Sequence, residues 1–223
     1  MMKLNVAIDG PAGSGKSSAG YELAKKLNYQ FIDTGLTYRA FTYFCAKAQL
    51  DFSNHQQLKN QLAKFNYQVL NNKIYVNNED VTMMLQTSLV LDNINKITGL
   101  EFIRTAMVAL QRQLVIKKGN VVVGRDITTV VLPDAEVKIY LTASIAARVE
   151  RRWSQNNENN IMPNNLTEIT AKLKERDYVD TTRAVGPLKI AAGAIVIDSS
   201  TLTFEQTVAA IYQVVMDYKK VGK

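Results

Sequence analysis

Short runs of apolar, often β-branched residues alternate along this chain with stretches whose apolar positions recur at helical spacing. The runs Leu4–Ile8, Gln30–Ile32, Asn120–Val123, Val137–Leu141 and Ile195–Ile197 predict strands. Helices are predicted over Lys16–Leu27, Leu36–Ala48, Glu101–Lys117, Ser144–Trp153 and Phe204–Lys219. Thr203, followed three residues later by Gln206, has the spacing of a capping box at the start of the last helix. This alternation argues for a parallel sheet covered by helices. The nearly continuous apolar character of the runs is that of strands buried on both faces.

Two stretches break the rhythm. From Asp51 to about Ile97 a helical pattern precedes Tyr67–Leu70, Asn71–Asn72 and Ile74–Val76, which read as a small hairpin on an insertion. From Gln155 to Asn165 asparagine dominates, and the segment is expected to be a mobile loop between two helices, placed where enzymes of this size carry a lid. There is no internal repeat.

Composition narrows the chemistry. A chain of 223 residues, 47% hydrophobic and 21% charged, fits one folded domain rather than a disordered one. No apolar run approaches the roughly 20 residues of a membrane span. The first one runs straight into a glycine-rich turn, so neither membrane anchor nor signal peptide is expected and the expected compartment is cytoplasmic. The single cysteine, Cys45, lies in an apolar run and reads as a core residue, and the single histidine, His55, lies in a polar stretch with no assigned role. A histidine–cysteine metal cluster and a serine–histidine triad are thereby excluded. Chemistry must rest on Lys, Arg, Asp and backbone groups. The net charge of +7 fits either nucleic-acid binding or a site for two phosphate-bearing ligands.

Gly10-Pro11-Ala12-Gly13-Ser14-Gly15-Lys16-Ser17 satisfies G-x-x-x-x-G-K-[ST], between a predicted strand and a predicted helix. Glycines allow consecutive N–H groups to converge on phosphate oxygens at a helix N-terminus. Lys16 is expected to leave the loop toward the ligand with a full positive charge for the β- and γ-phosphates, and the Ser17 hydroxyl to ligate Mg²⁺. Ser18 extends the same nucleotide-binding segment. A guanine reader, Asn-Lys-x-Asp, is missing: the two Asn-Lys pairs continue as Ile74-Tyr75 and Ile97-Thr98, so a regulatory GTPase is disfavoured.

The arginines sit at element ends. Arg39 follows Asp33-Thr34-Gly35 at the start of the second helix, and Arg125 and Asp126 follow a strand at its carboxyl end, where ligands of open α/β sheets bind. Arg148, Arg151 and Arg152 share a helical face, and Arg176, Asp180 and Arg183 recur at i, i+4, i+7. An arginine on a helix is usually a solvated residue, and Arg176 with Asp180 is compatible with a simple helix pair. Convergence from four segments favours phosphoryl transfer, which rests on positioning and charge stabilisation.

These residues resemble the cytidylate kinase family of nucleoside monophosphate kinases. The resemblance runs through Ile8-Asp9-Gly10-Pro11, Asp33-Thr34-Gly35 to Arg39, and Gly124-Arg125-Asp126-Ile127. It continues through Lys138 to Ser144, Lys174-Glu175-Arg176-Asp177 with Asp180 and Arg183, and Ile197-Asp198-Ser199-Ser200. It implies a P-loop three-layer α/β/α fold with a five-stranded parallel sheet, an NMP-binding insertion with a small hairpin, and a short lid. The single kinase domain 1–223 would have its core at 1–50, 98–154 and 184–223, the insertion at about 51–97 and the lid at about 154–183. The implied reaction is γ-phosphate transfer from ATP to CMP or dCMP with Mg²⁺, in pyrimidine nucleotide metabolism, by an expected monomer that binds no nucleic acid. Lys16, Arg148, Arg152 and Arg176 would be catalytic, with Arg148 and Arg152 closing on the transferring group. Thr34, Arg39, Asn95, Arg104, Arg125, Asp126, Arg176, Asp180 and Arg183 would bind the acceptor. Within that set Asp126 and Arg104 would read cytosine, and Arg176 and Asp180 would face the ribose.

Four departures bear on selectivity. The family usually has Asp at position 123 and Gly at 128, where this chain has Val123 and Thr128; Leu85-Gln86-Thr87 replaces Ile-Arg-Thr, and Asn95 stands for a base-reading serine. Selectivity for cytosine is therefore expected to be reduced. The alternatives are a kinase for UMP, AMP or another small phosphate acceptor, and a non-catalytic basic nucleotide- or nucleic-acid-binding protein. The latter leaves the P-loop unexplained and lacks an aromatic-studded basic stripe.

Overall fold

A computed structural model describes residues 3–70 and 73–221. Two compact units are present: Met1–Ile32 with Val115–Lys223, and Asp33–Leu114. The sheet of the first is built from β1 (Asn5–Asp9), β2 (Gln30–Asp33), β6 (Asn120–Gly124), β7 (Val137–Thr142) and β8 (Ile195–Asp198), in the order β2-β6-β1-β7-β8. β1 runs parallel to β6 and β7, and β7 parallel to β8. β1 is thus central, and β6 is buried at every residue, as a strand covered on both faces must be.

Helices α1 (Lys16–Leu27), α7 (Ile145–Glu158), α8 (Leu166–Thr182) and α9 (Phe204–Val221) complete this unit. Its core joins Leu4 just ahead of β1, Val6 and Ile8 of β1, Ala19, Leu23 and Ala24 of α1, Val121 and Val123 of β6, and Val208, Ile211 and Val215 of α9. The α9 capping box closes reciprocally: the Thr203 N–H donates to Gln206 Oε1 at 2.9 Å and the Gln206 N–H to Thr203 Oγ1 at 3.2 Å. Val149, Ile169 and Leu173 form a smaller cluster between α7 and α8, with Ala12 of the glycine-rich loop packed against it.

The second unit holds α2 (Gly35–Lys47), α3 (His55–Leu62), β3 (Tyr67–Leu70), β4 (Lys73–Val76), β5 (Glu79–Asp80), α4 (Ser88–Leu91), α5 (Asn95–Thr98) and α6 (Glu101–Leu114). β3 and β4 pair antiparallel as the expected hairpin, and β5 adds a third strand that the sequence did not signal. The expected turn at Asn71–Asn72 lies outside the described residues. Phe41 and Cys45 of α2 pack with Ile97, Ile103 and Met107, so α2 and α6 belong to this unit along with the segment 51–97. Burial pushes the Cys45 thiol up to about 12, which leaves it an inert core side chain.

Two expectations need correction. The segment Gln155–Asn165 is not a loop throughout: α7 continues to Glu158, because Gln and Glu are good helix formers, Asn is only mildly poor, and extending a formed helix is cheap. The remaining turn is laced by asparagine amides: Asn164 Nδ2 donates to the Trp153 carbonyl at 2.8 Å and to Asn157 Oδ1 at 2.7 Å, and its Oδ1 accepts from Asn156 Nδ2 at 3.0 Å. Arg183 does not continue the helical series of Arg176 and Asp180. It is the C-cap of α8 in extended conformation, and its Nε bonds the Gly186 carbonyl at 2.7 Å.

Candidate active site

The glycine-rich loop leaves the central strand and opens α1. A Cβ at Gly10 would stand 2.0 Å from the Leu141 carbonyl oxygen, so only glycine lets the loop depart there. Gly15 is the N-cap of α1 with φ 87°, a left-handed conformation natural to glycine. Among the described residues no side chain caps this helix, and no acidic residue lies in its first turn, an arrangement that favours an anion at its N-terminus.

Lys16 departs from expectation. It does not project from the loop: it is buried, and its Nζ donates to the Pro11 carbonyl at 3.0 Å. Ser17 and Ser18 are exposed on the first turn of α1, while Ser14 is buried and its Oγ has no hydrogen-bond partner among the described residues.

Two α7 arginines brace this loop from outside. Arg148 donates from Nε to the Ala143 carbonyl at 3.0 Å, and from Nη1 to the Ala12 carbonyl at 2.9 Å and to Asp177 Oδ2 at 2.6 Å. Arg151 donates to the Ser14 carbonyl at 3.3 Å and to both the Oγ and the carbonyl of buried Ser199, at 3.1 and 2.5 Å. Sequence reasoning placed Arg151 on the right face of the helix without a role, and named Asp177 and Ser199 within the resemblance without giving either a role. Backbone carbonyls were the missing partners, and they leave no mark in a sequence. Burial lowers the Arg152 guanidinium from the ordinary arginine range, and its Nε is buried without a hydrogen-bond partner among the described residues. Such an orphaned donor suits an anionic ligand.

At the carboxyl ends of β6 and β1 a second cluster forms. Asp180, buried on α8, receives Arg125 Nε at 2.6 Å and Arg176 Nε at 3.4 Å on Oδ2, and Arg183 Nη1 at 3.4 Å on Oδ1. Arg183 Nη2 stands 3.5 Å from Asp126 Oδ1. Burial alone would raise the Asp180 carboxyl; the charges of Arg125, Arg176 and Arg183 and the Arg125 hydrogen bond outweigh it and hold it below the usual carboxylate range. The structure thus brings together Arg125, Asp126, Arg176, Asp180 and Arg183, and Asp180 is a hub for three arginines rather than one member of an i, i+4 pair. Asp9, which sequence reasoning treated only as the lead into the loop, is fully buried beside this cluster. Its carboxylate accepts the N–H groups of Ile127 and Thr128, each at 2.8 Å, and the Thr128 hydroxyl at 2.6 Å.

In the second unit, Thr34 is buried ahead of α2, and its carbonyl accepts the Thr37 hydroxyl at 2.7 Å. Arg39 is half-buried on α2 and donates to the Leu85 backbone carbonyl at 3.3 Å. Arg104 is buried at 2% exposure, donates to the Thr98 carbonyl at 3.1 Å, and lies 5.6 Å above the Tyr38 ring. Asn95 begins α5 and is exposed. Among the described residues no helix is long and apolar enough to cross a membrane.

The sequence model of one family, cytidylate kinase, matches residues 6–217. The chain is 47% identical over 208 residues to a cytidylate kinase of Mycoplasma capricolum subsp. capricolum, covering 93% of this chain and 94% of that one. It is 42% identical over 206 residues to a cytidylate kinase of Mesoplasma florum, covering 92% and 93%. Among solved structures, a shikimate kinase from Bacteroides thetaiotaomicron superposes with a TM-score of 0.50 at 10% identity, over 98% of this chain and 99% of that one, a likeness of fold alone. Matched from its central strand to its last helix, this chain belongs to the cytidylate kinase family.

Proposed function

We propose that this chain transfers the γ-phosphate of ATP to CMP or dCMP, forming ADP and CDP or dCDP. The observation that carries the reading is the family match over residues 6–217, which spans the glycine-rich loop, the Arg125–Asp126 step and the Asp180 hub. No general base is required. The nucleophile is a phosphate oxygen, and a phosphate monoester with second pKa near 6 is largely dianionic at neutral pH. The protein has to neutralise repulsion between two polyanions and align them.

ATP phosphates would lie on Gly10, Pro11, Ala12, Gly13, Ser14, Gly15, Lys16, Ser17 and Ser18, with Lys16 exchanging the Pro11 carbonyl for phosphate oxygens. Mg²⁺, when bound, neutralises phosphate charge. The exposed Ser17 hydroxyl suits a hard cation that takes few protein oxygens and completes its shell with phosphates and water. Arg148, Arg152 and Arg176 would stabilise the transferring group, the orphaned Nε of Arg152 supporting that role. Thr34, Arg39, Asn95, Arg104, Arg125, Asp126, Arg176, Asp180 and Arg183 would hold the acceptor. The NMP-binding role of about 51–97, the lid role of about 154–183, the cytoplasmic location and the monomeric state belong to the same proposal.

ADP release measured with CMP, dCMP, UMP and AMP in turn tests the reading. CMP should be preferred over UMP by about 10²-fold in kcat/KM, below the 10⁴-fold of sites built wholly around a donor. Asp126→Asn should narrow the ratio, because a carboxylate accepts from the cytosine amine whereas an amide can also donate to the uracil carbonyl. An unchanged ratio would remove Asp126 from base recognition, and turnover of AMP alone would remove the reading itself.

The lid makes a separate expectation. Because Gln155–Glu158 is helical and the turn is laced by Asn164, amide-exchange changes on adding a bisubstrate analogue should concentrate in residues 159–165. Equal exchange with and without the analogue would contradict a lid there.

A further inference from the structure

We propose that Asp9 is a positioning residue for the acceptor nucleotide, holding the Arg125–Asp126 step at both of its ends. The inference rests on the acceptor role proposed above for those two residues. Asp9 is the last residue of the central strand, and its Cα is paired in register with Gly124 of β6 on one side and Tyr140 of β7 on the other. Gly124 is where the step begins. The step ends at Ile127, whose N–H donates to Asp9 Oδ1, followed by Thr128, whose N–H and hydroxyl both donate to Oδ2. Only Arg125 and Asp126 lie between these anchors, so one side chain and its own backbone bracket the pair.

The local backbone explains why a carboxylate is needed. Residues 127–131 form a single turn of π-type helix, in which the Val130 and Val131 N–H groups bond the Asp126 carbonyl at 2.8 and 3.1 Å. The first N–H groups of any such turn have no acceptor within it. Here those of Ile127 and Thr128 are buried, and Asp9 supplies the acceptors. Among the described residues three donors bond its two oxygens, an arrangement of charge-assisted bonds that a neutral side chain cannot reproduce. Thr128, where the family usually has glycine, adds the third of them.

The clamp also sits next to the glycine-rich loop in the chain. Gly10 follows Asp9 immediately, and a Cβ there would stand 2.0 Å from the Leu141 carbonyl oxygen, so the loop starts where backbone packs too closely for any side chain. Asp9 therefore references the Arg125–Asp126 step to the loop. From that step Arg125 reaches Asp180, and Asp126 reaches Arg183.

The test is a KM split in which both substrates are measured on the same protein. In Asp9→Asn the amide offers one acceptor oxygen, and its NH₂ opposes an N–H donor. The KM for CMP should rise about tenfold, as expected for a buried donor left without its acceptor, while ATP binding stays within about twofold. Thr128→Val removes only the hydroxyl and should raise the CMP KM about threefold. Thr128→Ser restores the hydroxyl and should recover the parent value. If Asp9→Asn does not fold, the Val and Ser pair at 128 decides alone. A CMP KM unchanged in folded Asp9→Asn or in Thr128→Val, or ATP and CMP values that rise together, overturns the proposal. Arg125→Lys and Asp126→Asn run alongside separate the two readings. If neither alters the CMP KM, the acceptor role of the step fails and the proposal with it. If they raise it and Asp9→Asn does not, the proposal alone fails.

Discussion

Lys16→Ala is expected to fold and to lose phosphoryl transfer by at least 10²- to 10³-fold, the scale seen when one preorganised charge-stabilising group is removed. The lysine Nζ rests on the Pro11 carbonyl, inside the loop that would wrap the polyphosphate. Exchanging that neutral acceptor for phosphate oxygens strengthens the bond as charge accumulates between donor and acceptor. An uncharged side chain cannot follow the developing charge, and a planar guanidinium does not replace the compact ammonium of a buried lysine, so Lys16→Arg should be similarly impaired. Although Lys16 is buried, it lies outside the apolar core of β1, α1, β6 and α9, so the loss should appear in the rate rather than in the fold. Lys16→Met keeps most of the buried stem and controls for packing. Single-turnover rates with ATP and CMP, together with melting curves, check the expectation. Near-parental turnover in a folded variant would remove Lys16 from the chemistry.

Asp180→Ala is expected to lower the stability of the fold by about 3–5 kcal/mol, the usual cost of removing one partner from a buried ion pair. The Asp180 side chain is 1% exposed and takes Arg125, Arg176 and Arg183, of which Arg183 is itself only 7% exposed. Set against a typical total of 5–15 kcal/mol, that loss brings the variant close to unfolding. Asp180→Asn keeps an acceptor and should cost less. The pH dependence follows from the sign of the shift. The folded carboxyl is held low, so its stabilisation is complete above the unfolded value near 3.9 and is lost as pH falls through the folded one. Below about pH 4 the parent should therefore lose stability more steeply than Asp180→Asn. Urea midpoints from pH 7 down to 3 for both proteins measure this. A cost under about 1 kcal/mol for Asp180→Ala would show that the arginines are held in place by other groups.

The other expectations arise from features of different legibility. The expected CMP-to-UMP ratio rests on the resemblance at Asp126 and Arg104 and on the departure at Asn95. The lid expectation changed once α7 was seen to continue to Glu158. Composition marks asparagine as a loop residue, yet here Asn156 and Asn157 are held on the helix by Asn164 across the turn. The role of Asp9 was not readable at all.

What the residues determined by themselves was local. Continuous β-branched runs define buried strands, apolar spacing defines helices, and a glycine-rich turn between strand and helix defines an anion cradle, because each depends on neighbours in the chain. Arg125 and Asp126 could be placed just past the carboxyl end of a strand because the ends of parallel strands are recognisable from the runs themselves. Tertiary structure decided which partner each charge meets. Arg148 and Arg151 turn to the Ala12 and Ser14 carbonyls, Asp180 gathers three arginines, and Asp9 takes the N–H groups of Ile127 and Thr128 across 118 and 119 positions. Every peptide unit carries the same donor and acceptor, so sequence cannot mark which of them a buried side chain will reach; only the path of the chain does.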